Sequence, residues 1–523
     1  MKNIVKKVTL LVLLIIVFSC DKFLEEEPKN QISINQFFSE PEDVRSVVNS
    51  LYGIGAVRRY VSGDFQINGM LGGYLSGLFE NERTERPGPF EANNLTLNSD
   101  NMDGYLFDYW RESYDAIAKA NVAIKYIPQV EALSATEANE LLAQAKFYRA
   151  FNYFALVRDF GDVPLVIEPY ESLENINIPR DSAELVYALI IEDLEWALTN
   201  GGLADVLFTE NGYRITKGVV AVTLANVQLQ NAGFPVQGGT ESYSKAAQVA
   251  RDIINTGPYA LIENGPTPEE SAFNVMRISE NERETIFSVE SDVILKPTSF
   301  PFLSIPKSAN VPGLINGDVW IVYRPLDEYL RVYDPIVDLR GQDRQIWYTS
   351  IERDGVTYDF GGLWAAYKWY DEVALFETAK GAKDIEINVY SEVLLIAAEA
   401  IAQSEGVTAE AVKYLADVRS RAYWQMDRSQ IESELSGLSK EQFVEEVWKE
   451  RLRELPLIFK TWSDIQRTRL FPVTSASNPG EVTFVDVIGH TNPFGGTYAD
   501  KHMLLPIATR VKDRNPEITG NGY

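Results

Sequence analysis

From Glu137 to Phe160, Leu141, Ala145, Tyr148, Asn152 and Leu156 return every three or four positions, a spacing that predicts a helix with one buried face. Ser134-Ala-Thr-Glu137 has capping-box spacing at its start, and Gly161 with Pro164 supplies its stop. A second helix is expected after Asp181-Ser-Ala-Glu184, with Leu185, Leu189, Leu194 and Leu198 on its periodic face and Gly201-Gly202 at its end. A third is expected from Thr216 towards Asn231 and a fourth from about Ser242 to Thr256, where Gly257-Pro258 stops it. The first helix should open at Ser39 or Glu40-Pro41. Long helices joined by short links imply antiparallel neighbours.

Between about Leu261 and Lys383 the helical period fades, proline and glycine become frequent, and Thr285-Ile-Phe-Ser-Val289 predicts a short strand. The run from Trp364 to Tyr370 reads as a half-buried strand. Helices resume over Asn388 to Gln403, over Thr408 to about Trp424, and after Ser439-Lys-Glu-Gln442, another capping-box spacing. The tail beyond is expected to be extended and punctuated by proline. Ala143, Phe147 and Ala150 match the second helix of a tetratricopeptide repeat, where small residues let two helices approach. The fold class predicted is mainly α, with tetratricopeptide-like helix pairs plus a loop-rich segment holding short strands.

Residues 1–19 stand outside this pattern. Lys2, Lys6 and Lys7 precede the apolar run Leu10 to Phe18, too short to cross a bilayer and of the kind found in secretory signals. Cys20, the only cysteine, follows at once, and Val17-Phe18-Ser19-Cys20 resembles a bacterial lipobox, whose cysteine is diacylated and becomes the new N-terminus. Each methylene buried in lipid would contribute about 0.8 kcal/mol to anchoring. The expected organisation is therefore a lipoprotein signal peptide over 1–19, a lipidated N-terminus and tether over 20–40, and a single domain over 41–523. Within that domain 41–260 is the helical-repeat part, 261–383 the loop-rich part, and 384–523 the C-terminal helices and extended tail.

At 45% hydrophobic and 11% aromatic residues the chain can bury a substantial core. A net charge of −27 argues against nucleic acid or an anionic membrane surface as a partner, since a phosphate binder needs a basic face. One cysteine allows no internal disulfide, so packing alone must stabilise the fold. His490 and His502 are the only histidines, which argues against histidine triads and Cys/His metal sites; no cofactor is expected. With 75 acidic residues, a pair at glycosidase spacing could arise by chance almost anywhere, so composition neither supports nor rejects two-carboxylate hydrolysis. Asp100-Asn-Met-Asp103-Gly104 lacks the third ligand of a calcium loop and reads as a turn, so no metal is expected.

Several blocks taken in order are more specific. Trp110-Arg-Glu-Ser-Tyr114 through Asn121, then Ala143-Gln-Ala-Lys-Phe147-Tyr-Arg149 through Phe160-Gly161-Asp162-Val163-Pro164-Leu165, closely resemble the SusD/RagB family signature. Thr216-Lys217-Gly218, Tyr390 through Glu399-Ala400, Arg419-Ser-Arg421-Ala422, Glu450-Arg451-Leu-Arg453-Glu454-Leu455 and the finish from Leu505-Pro506-Ile507 to Tyr523 are similar to the same family. One departure is Pro456-Leu-Ile-Phe459, where the family usually keeps a Glu; only local repacking is expected from it. Most of these residues read as structural: Ala143, Phe147 and Ala150 pack helices, Gly161 ends one, and Arg149 and Glu399 are expected to be paired polar groups between helices.

The resemblance implies a SusD-like fold and a non-enzymatic lipoprotein on the outer-membrane surface. Such a protein captures oligo- or polysaccharide and delivers it to a SusC-like TonB-dependent transporter. Peptide capture, as in relatives of the RagB type, is the alternative within the fold, and a carboxylate glycoside hydrolase is the alternative outside it.

Sugars present C–H faces that stack on aromatic rings and hydroxyls that bond to Arg, Asn, Asp and Glu, so a glycan site should be aromatic, polar and carried on loops. Two regions qualify, Phe79 through Arg83 and Phe90 to Tyr105, and Trp320 through Arg324 to Trp347-Tyr348. The expected site is an exposed, preformed platform of Trp320 with at least one of Tyr323, Phe79 and Tyr105, with Arg83 or Asn81 bonding hydroxyls and Trp347 as a further candidate contact. Core packing is the competing reading for each of these rings.

Overall fold

The computed structural model describes residues 38, 40–60, 68–170, 176–279 and 282–523; the expected signal segment, Cys20 and most of the tether lie outside the described residues. Fifteen α-helices of six or more residues organise the described residues. They are α1 (Pro41–Leu51), α2 (Asn68–Leu75), α3 (Pro87–Asn93), α4 (Asp103–Tyr126), α5 (Ala135–Phe160), α6 (Ala183–Asn200), α7 (Lys217–Ala232) and α8 (Gly239–Thr256). After the loop-rich segment, which holds α9 (Ala272–Ile278), come α10 (Tyr390–Glu405), α11 (Ala409–Ala422), α12 (Arg428–Ser436), α13 (Lys440–Glu454), α14 (Thr461–Thr468) and α15 (Thr509–Arg514). Each of α4 to α7 packs on the next, and α8 packs on α10 across the intervening loops, so one helical array runs from the N-terminal to the C-terminal part.

The sequence signals act where physical chemistry places them. Ser134 caps α5 by accepting from Glu137 N–H at 3.2 Å, and all five periodic positions from Leu141 to Leu156 are buried. Ser439 and Gln442 complete a reciprocal box at the start of α13. In α6 the cap is Ser182, one residue later than the expected spacing, and packing against α5 and α7 buries the row of Val186, Ile190, Leu194 and Ala197. Leu185 is consequently 54% exposed, against the expectation. Asp181 serves another purpose, accepting from Leu165 N–H at 3.0 Å beside the Val163–Asp181 bridge.

Among the described residues ten short strands form five two-stranded ribbons: β1 (Phe79–Glu80), β2 (Thr285–Val289), β3 (Arg324–Pro325), β4 (Trp347–Tyr348), β5 (Ser350–Arg353), β6 (Val356–Asp359), β7 (Ala365–Ala366), β8 (Ile385–Val389), β9 (Leu470–Thr474) and β10 (Val482–Asp486). The β2 strand falls where expected. Its partner β8 takes residues 385–389, so α10 opens at Tyr390 rather than Asn388, because alternating Ile385, Ile387 and Val389 favour a buried ladder. Trp364 to Tyr370 is strand only at β7, and Tyr367–Trp369 turns into a 3-10 helix. The tail is less extended than expected, since α14, the β9–β10 hairpin and α15 lie in it.

Arg149 and Glu399 each find a partner. Arg149 in α5 donates to both carboxylate oxygens of Asp193 in α6, at 2.7 and 2.9 Å, and to Asn121 in α4 at 2.9 Å, tying three helices together. The Arg419, Arg421 and Glu450-to-Glu454 blocks form a buried ionic network with Arg340: Arg340 meets Asp338 at 2.9 Å and Glu450 and Glu454 at 2.8 Å, and Arg419 meets Glu450 at 2.8 Å. Burial opposes the charge on Glu450, yet Arg340, Arg419 and Arg453 outweigh it and hold its carboxyl down at about 2.

Candidate functional site

The two loop regions singled out in the sequence meet. The β1 strand pairs antiparallel with β3, setting Phe79 opposite Pro325 and Glu80 opposite Arg324, and Glu80 and Arg324 form an ion pair. Beyond the ribbon Glu82 links the loops: its N–H donates to Ile321 O at 2.9 Å, and its carboxylate accepts from Ile321 N–H at 2.8 Å and Lys307 N–H at 3.2 Å. These bonds seat Trp320 beside Arg83. The Arg83 guanidinium carbon stands 3.6 Å from the centroid of the half-buried Trp320 ring, and that of Arg86 stands 5.3 Å away. Asp318 completes the patch with an ion pair to Arg83, and Phe90, one helical turn beyond Arg86, is 47% exposed.

The expected platform takes a different form. Phe79, Tyr323 and Trp347 are fully buried, so they are core and not an open face. Phe79 stacks on Tyr323 at 4.2 Å with planes 12° apart and lies 4.4 Å from Tyr329, and Phe459, in the segment that departs from the family pattern, closes on Tyr323 edge-on at 5.3 Å. Rings of this size gain more from complete burial than from standing in water, and two short strands pin them inside. Burial pushes the Tyr323 hydroxyl well above its ordinary range. Asn81 is also buried, and its side-chain oxygen accepts from Arg83 N–H at 2.9 Å, so it shapes the loop under Arg83 and offers little to a ligand. Tyr105 belongs to another neighbourhood, half-buried in α4 with Arg59 5.5 Å and Tyr109 6.3 Å from its ring.

Of the expected site residues, then, Trp320 and Arg83 share the accessible patch, and Arg86, Asp318, Phe90 and Glu82 join them without having been singled out as contacts. The repeat of arginine at 83 and 86 was the available signal.

Two larger clefts lie elsewhere among the described residues. One of about 260 Å³ is lined mainly by apolar and aromatic side chains, Phe107, Trp110, Tyr114, Tyr170 and Ile176 among them, with Arg111 and Arg514 beside them. The other, about 420 Å³, is polar, but its rings Tyr259 and Tyr390 are only 5% and 8% exposed. The first also holds an open ring, Tyr170, 50% exposed, with Arg111 and Arg514 in the same lining, whereas the Trp320 patch has its guanidiniums on the exposed loops that the sequence singles out. Among the described residues no group of three or more His, Cys, Asp or Glu side chains is placed to hold a metal ion. Asp100 sits in a turn and Asp103 opens α4, and they bond Thr509 and Arg510. The His502 ring, drawn down to about 4 by burial and by Lys501, accepts from Ala499 N–H at 3.0 Å, and His490 stacks on Phe471 at 4.4 Å. One acidic pair is unusual: burial and a hydrogen bond to Glu290 push the Asp384 carboxyl up to about 8. Two carboxyls in direct hydrogen-bond contact are closer than the roughly 5 to 9.5 Å that glycoside hydrolysis requires.

Comparison with known proteins agrees with this architecture. Residues 22–229 match a family described as SusD-like, starch-binding and associating with the outer membrane, and residues 356–523 match the SusD family. A SusD-like protein of Formosa agariphila is 26% identical over 541 residues, covering 99% of both chains, and a SusD-like protein of Bacteroides ovatus is 29% identical over 31% of this chain and 30% of its own. Among solved structures, a SusD superfamily protein from Parabacteroides distasonis superposes with a TM-score of 0.79 at 25% identity, over 92% of this chain and 99% of its own. Surface glycan-binding protein A from Bacteroides thetaiotaomicron, solved with laminarihexaose, shares the fold with a TM-score of 0.69 at 18% identity, over 92% of this chain and all of its own. The helical array, the buried Arg–Glu network built from the signature blocks, and these matches at both ends of the chain place the protein in the SusD family.

Proposed function

We propose that this protein is a cell-surface lipoprotein that binds oligo- or polysaccharide at the Trp320–Arg83 patch and delivers it to a SusC-like TonB-dependent transporter. The observation that carries the reading is the patch itself, a ring, two guanidiniums and a carboxylate held on loops of a SusD fold whose solved relatives include glycan-binding proteins. Such a combination suits sugar hydroxyls and C–H faces. Binding followed by release needs no reacting group. A glycan and peptide array probed with the mature protein tests the reading: glycan signals that disappear with Trp320→Ala are expected, and an array on which only peptides bind would favour the peptide-capturing alternative. Released reducing ends during incubation with glycans would instead establish a hydrolase.

Attachment through Cys20 supplies the location in this reading. No helix among the described residues is long and apolar enough to cross a membrane. Cys20→Ala should move the protein from the membrane to the soluble fraction and abolish acylation; unchanged fractionation would remove the anchor. The transporter partnership is tested by purifying the native complex from detergent-solubilised membrane, where a consistently solitary lipoprotein would count against it.

A further inference from the structure

We infer that the sugar chain recognised at this patch is anionic, bearing carboxylate or sulfate groups, and that the Arg83 guanidinium reads the charge; the inference rests on the glycan-binding reading above. Three observations point there. First, a chain of net charge −27 repels anions over most of its surface, yet two guanidiniums converge on one ring here, Arg83 at 3.6 Å and Arg86 at 5.3 Å from Trp320. Second, one face of the indole is covered by Arg83, so what that face offers an incoming sugar is a guanidinium fork and not a bare apolar disc. Third, the inner acids of the loops are turned away: Glu80 is paired with Arg324, and Glu82 accepts the backbone N–H groups of Ile321 and Lys307. Within two residues of Arg83 or Trp320 in the chain the exposed acids are Glu85 and Asp318, and Asp318 takes a single nitrogen of Arg83, Nη2.

Stacking on an aromatic face fixes a guanidinium plane, and an ordered fork loses less conformational freedom when it grips a planar or tetrahedral anion with two parallel hydrogen bonds. The Arg83 side chain keeps 28% of its surface accessible while its ring contact and Asp318 hold it still. A hydroxyl-bearing neutral sugar gains hydrogen bonds assisted by the guanidinium's charge alone. A uronate or a sulfate ester adds its own charge and can take the fork through two parallel bonds.

The test is isothermal titration of the mature protein with three probes of similar length: an oligogalacturonide, a sulfated galactan oligosaccharide and laminarihexaose, each at low and high salt. At low salt at least one anionic probe should bind about tenfold or more tightly than laminarihexaose, with that preference shrinking as salt rises. Which anionic probe is preferred distinguishes carboxylate from sulfate. Arg83→Gln should erase the preference at an unchanged melting temperature, and Arg83→Lys, which keeps the charge without the fork, should retain only part of it. Laminarihexaose binding as tightly as both anions, or a preference that survives Arg83→Gln, overturns the inference while leaving glycan binding in place. Binding of none of the three probes by the wild-type protein overturns it too, and the wider reading falls separately only if the glycan array is also blank.

Discussion

Glu399 and Arg467 meet fork to fork in the core, the guanidinium donating from both terminal nitrogens to both carboxylate oxygens at 2.5 and 2.7 Å. Both side chains are essentially inaccessible, and Arg467 donates further to Asp464 at 2.8 Å. The pair clamps α10, whose residues 390–402 are all buried, to α14. Removing one partner would strand a charge in the interior, so Arg467→Ala should cost about 3–5 kcal/mol in urea unfolding. Replacing both by apolar residues, as in Glu399→Leu with Arg467→Met, should cost less than the two single changes summed. Single variants within about 0.5 kcal/mol of wild type, the range of neutral surface changes, would show that the clamp carries no stability.

The aromatic residues at the junction divide into core and patch, and substitution should separate them. Phe79→Ala and Tyr323→Ala empty fully buried positions and should destabilise by about 3–5 kcal/mol. Trp320→Ala should lose glycan affinity with a smaller fall in melting temperature, since Trp320 is only half-buried. If Trp320→Ala kept full affinity and melted as early as Phe79→Ala, Trp320 would belong to the core.

Gly73 in α2 presents a case where helix propensity and packing oppose each other. Alanine is the better helix former by about 1 kcal/mol. A Cβ at Gly73 would, however, stand 2.2 Å from the Tyr323 hydroxyl oxygen and 2.4 Å from its ring. Overpacking of this kind costs about 1–3 kcal/mol, so Gly73→Ala should be net destabilising. The Tyr323 hydroxyl is buried with no hydrogen-bond partner among the described residues, so Tyr323→Phe should be mild alone and should recover part of the loss in the double variant. Strictly additive losses would rule out the contact.

Local signals were legible in the sequence wherever a few neighbouring residues decide the outcome. Ser134 and Ser439 cap the helices they announce, and the period of α5 marks its buried face. Leu185 failed because apolar residues on adjacent helical rows look alike in sequence, and packing against α5 and α7 decides which row is buried. Non-local pairings were out of reach. Glu399 lies 68 positions from Arg467, and the two-residue strands that bury Phe79 and Tyr323 have no periodicity to display. The patch was half visible for the same reason: Trp320 and Arg83 are chemically distinctive, whereas the bonds from Glu82 that bring them together join residues 239 positions apart.

The last expectation concerns pH. Asp384 is buried at the end of the β2–β8 ribbon, accepts from Ser291 N–H at 2.7 Å and is hydrogen-bonded to Glu290. Burial, then the bond to Glu290 and the charges of Glu290 and Glu386, push its carboxyl from the ordinary 3.8 to about 8. Lys296 also faces the pair, and burial draws its own ammonium downward. The unfolded chain would ionise near 3.8 while the folded chain keeps the proton until about 8, so folding takes up a proton between those values. Stability must therefore fall as pH rises through that window and level off above it. Asp384→Asn preserves both contacts, its carbonyl oxygen accepting from Ser291 and its amide donating to Glu290, but has no proton to bind. Melting curves across the window should show wild type and variant close together near its acid end and the variant more stable near pH 8; parallel profiles would mean that Asp384 does not hold a proton in the folded protein.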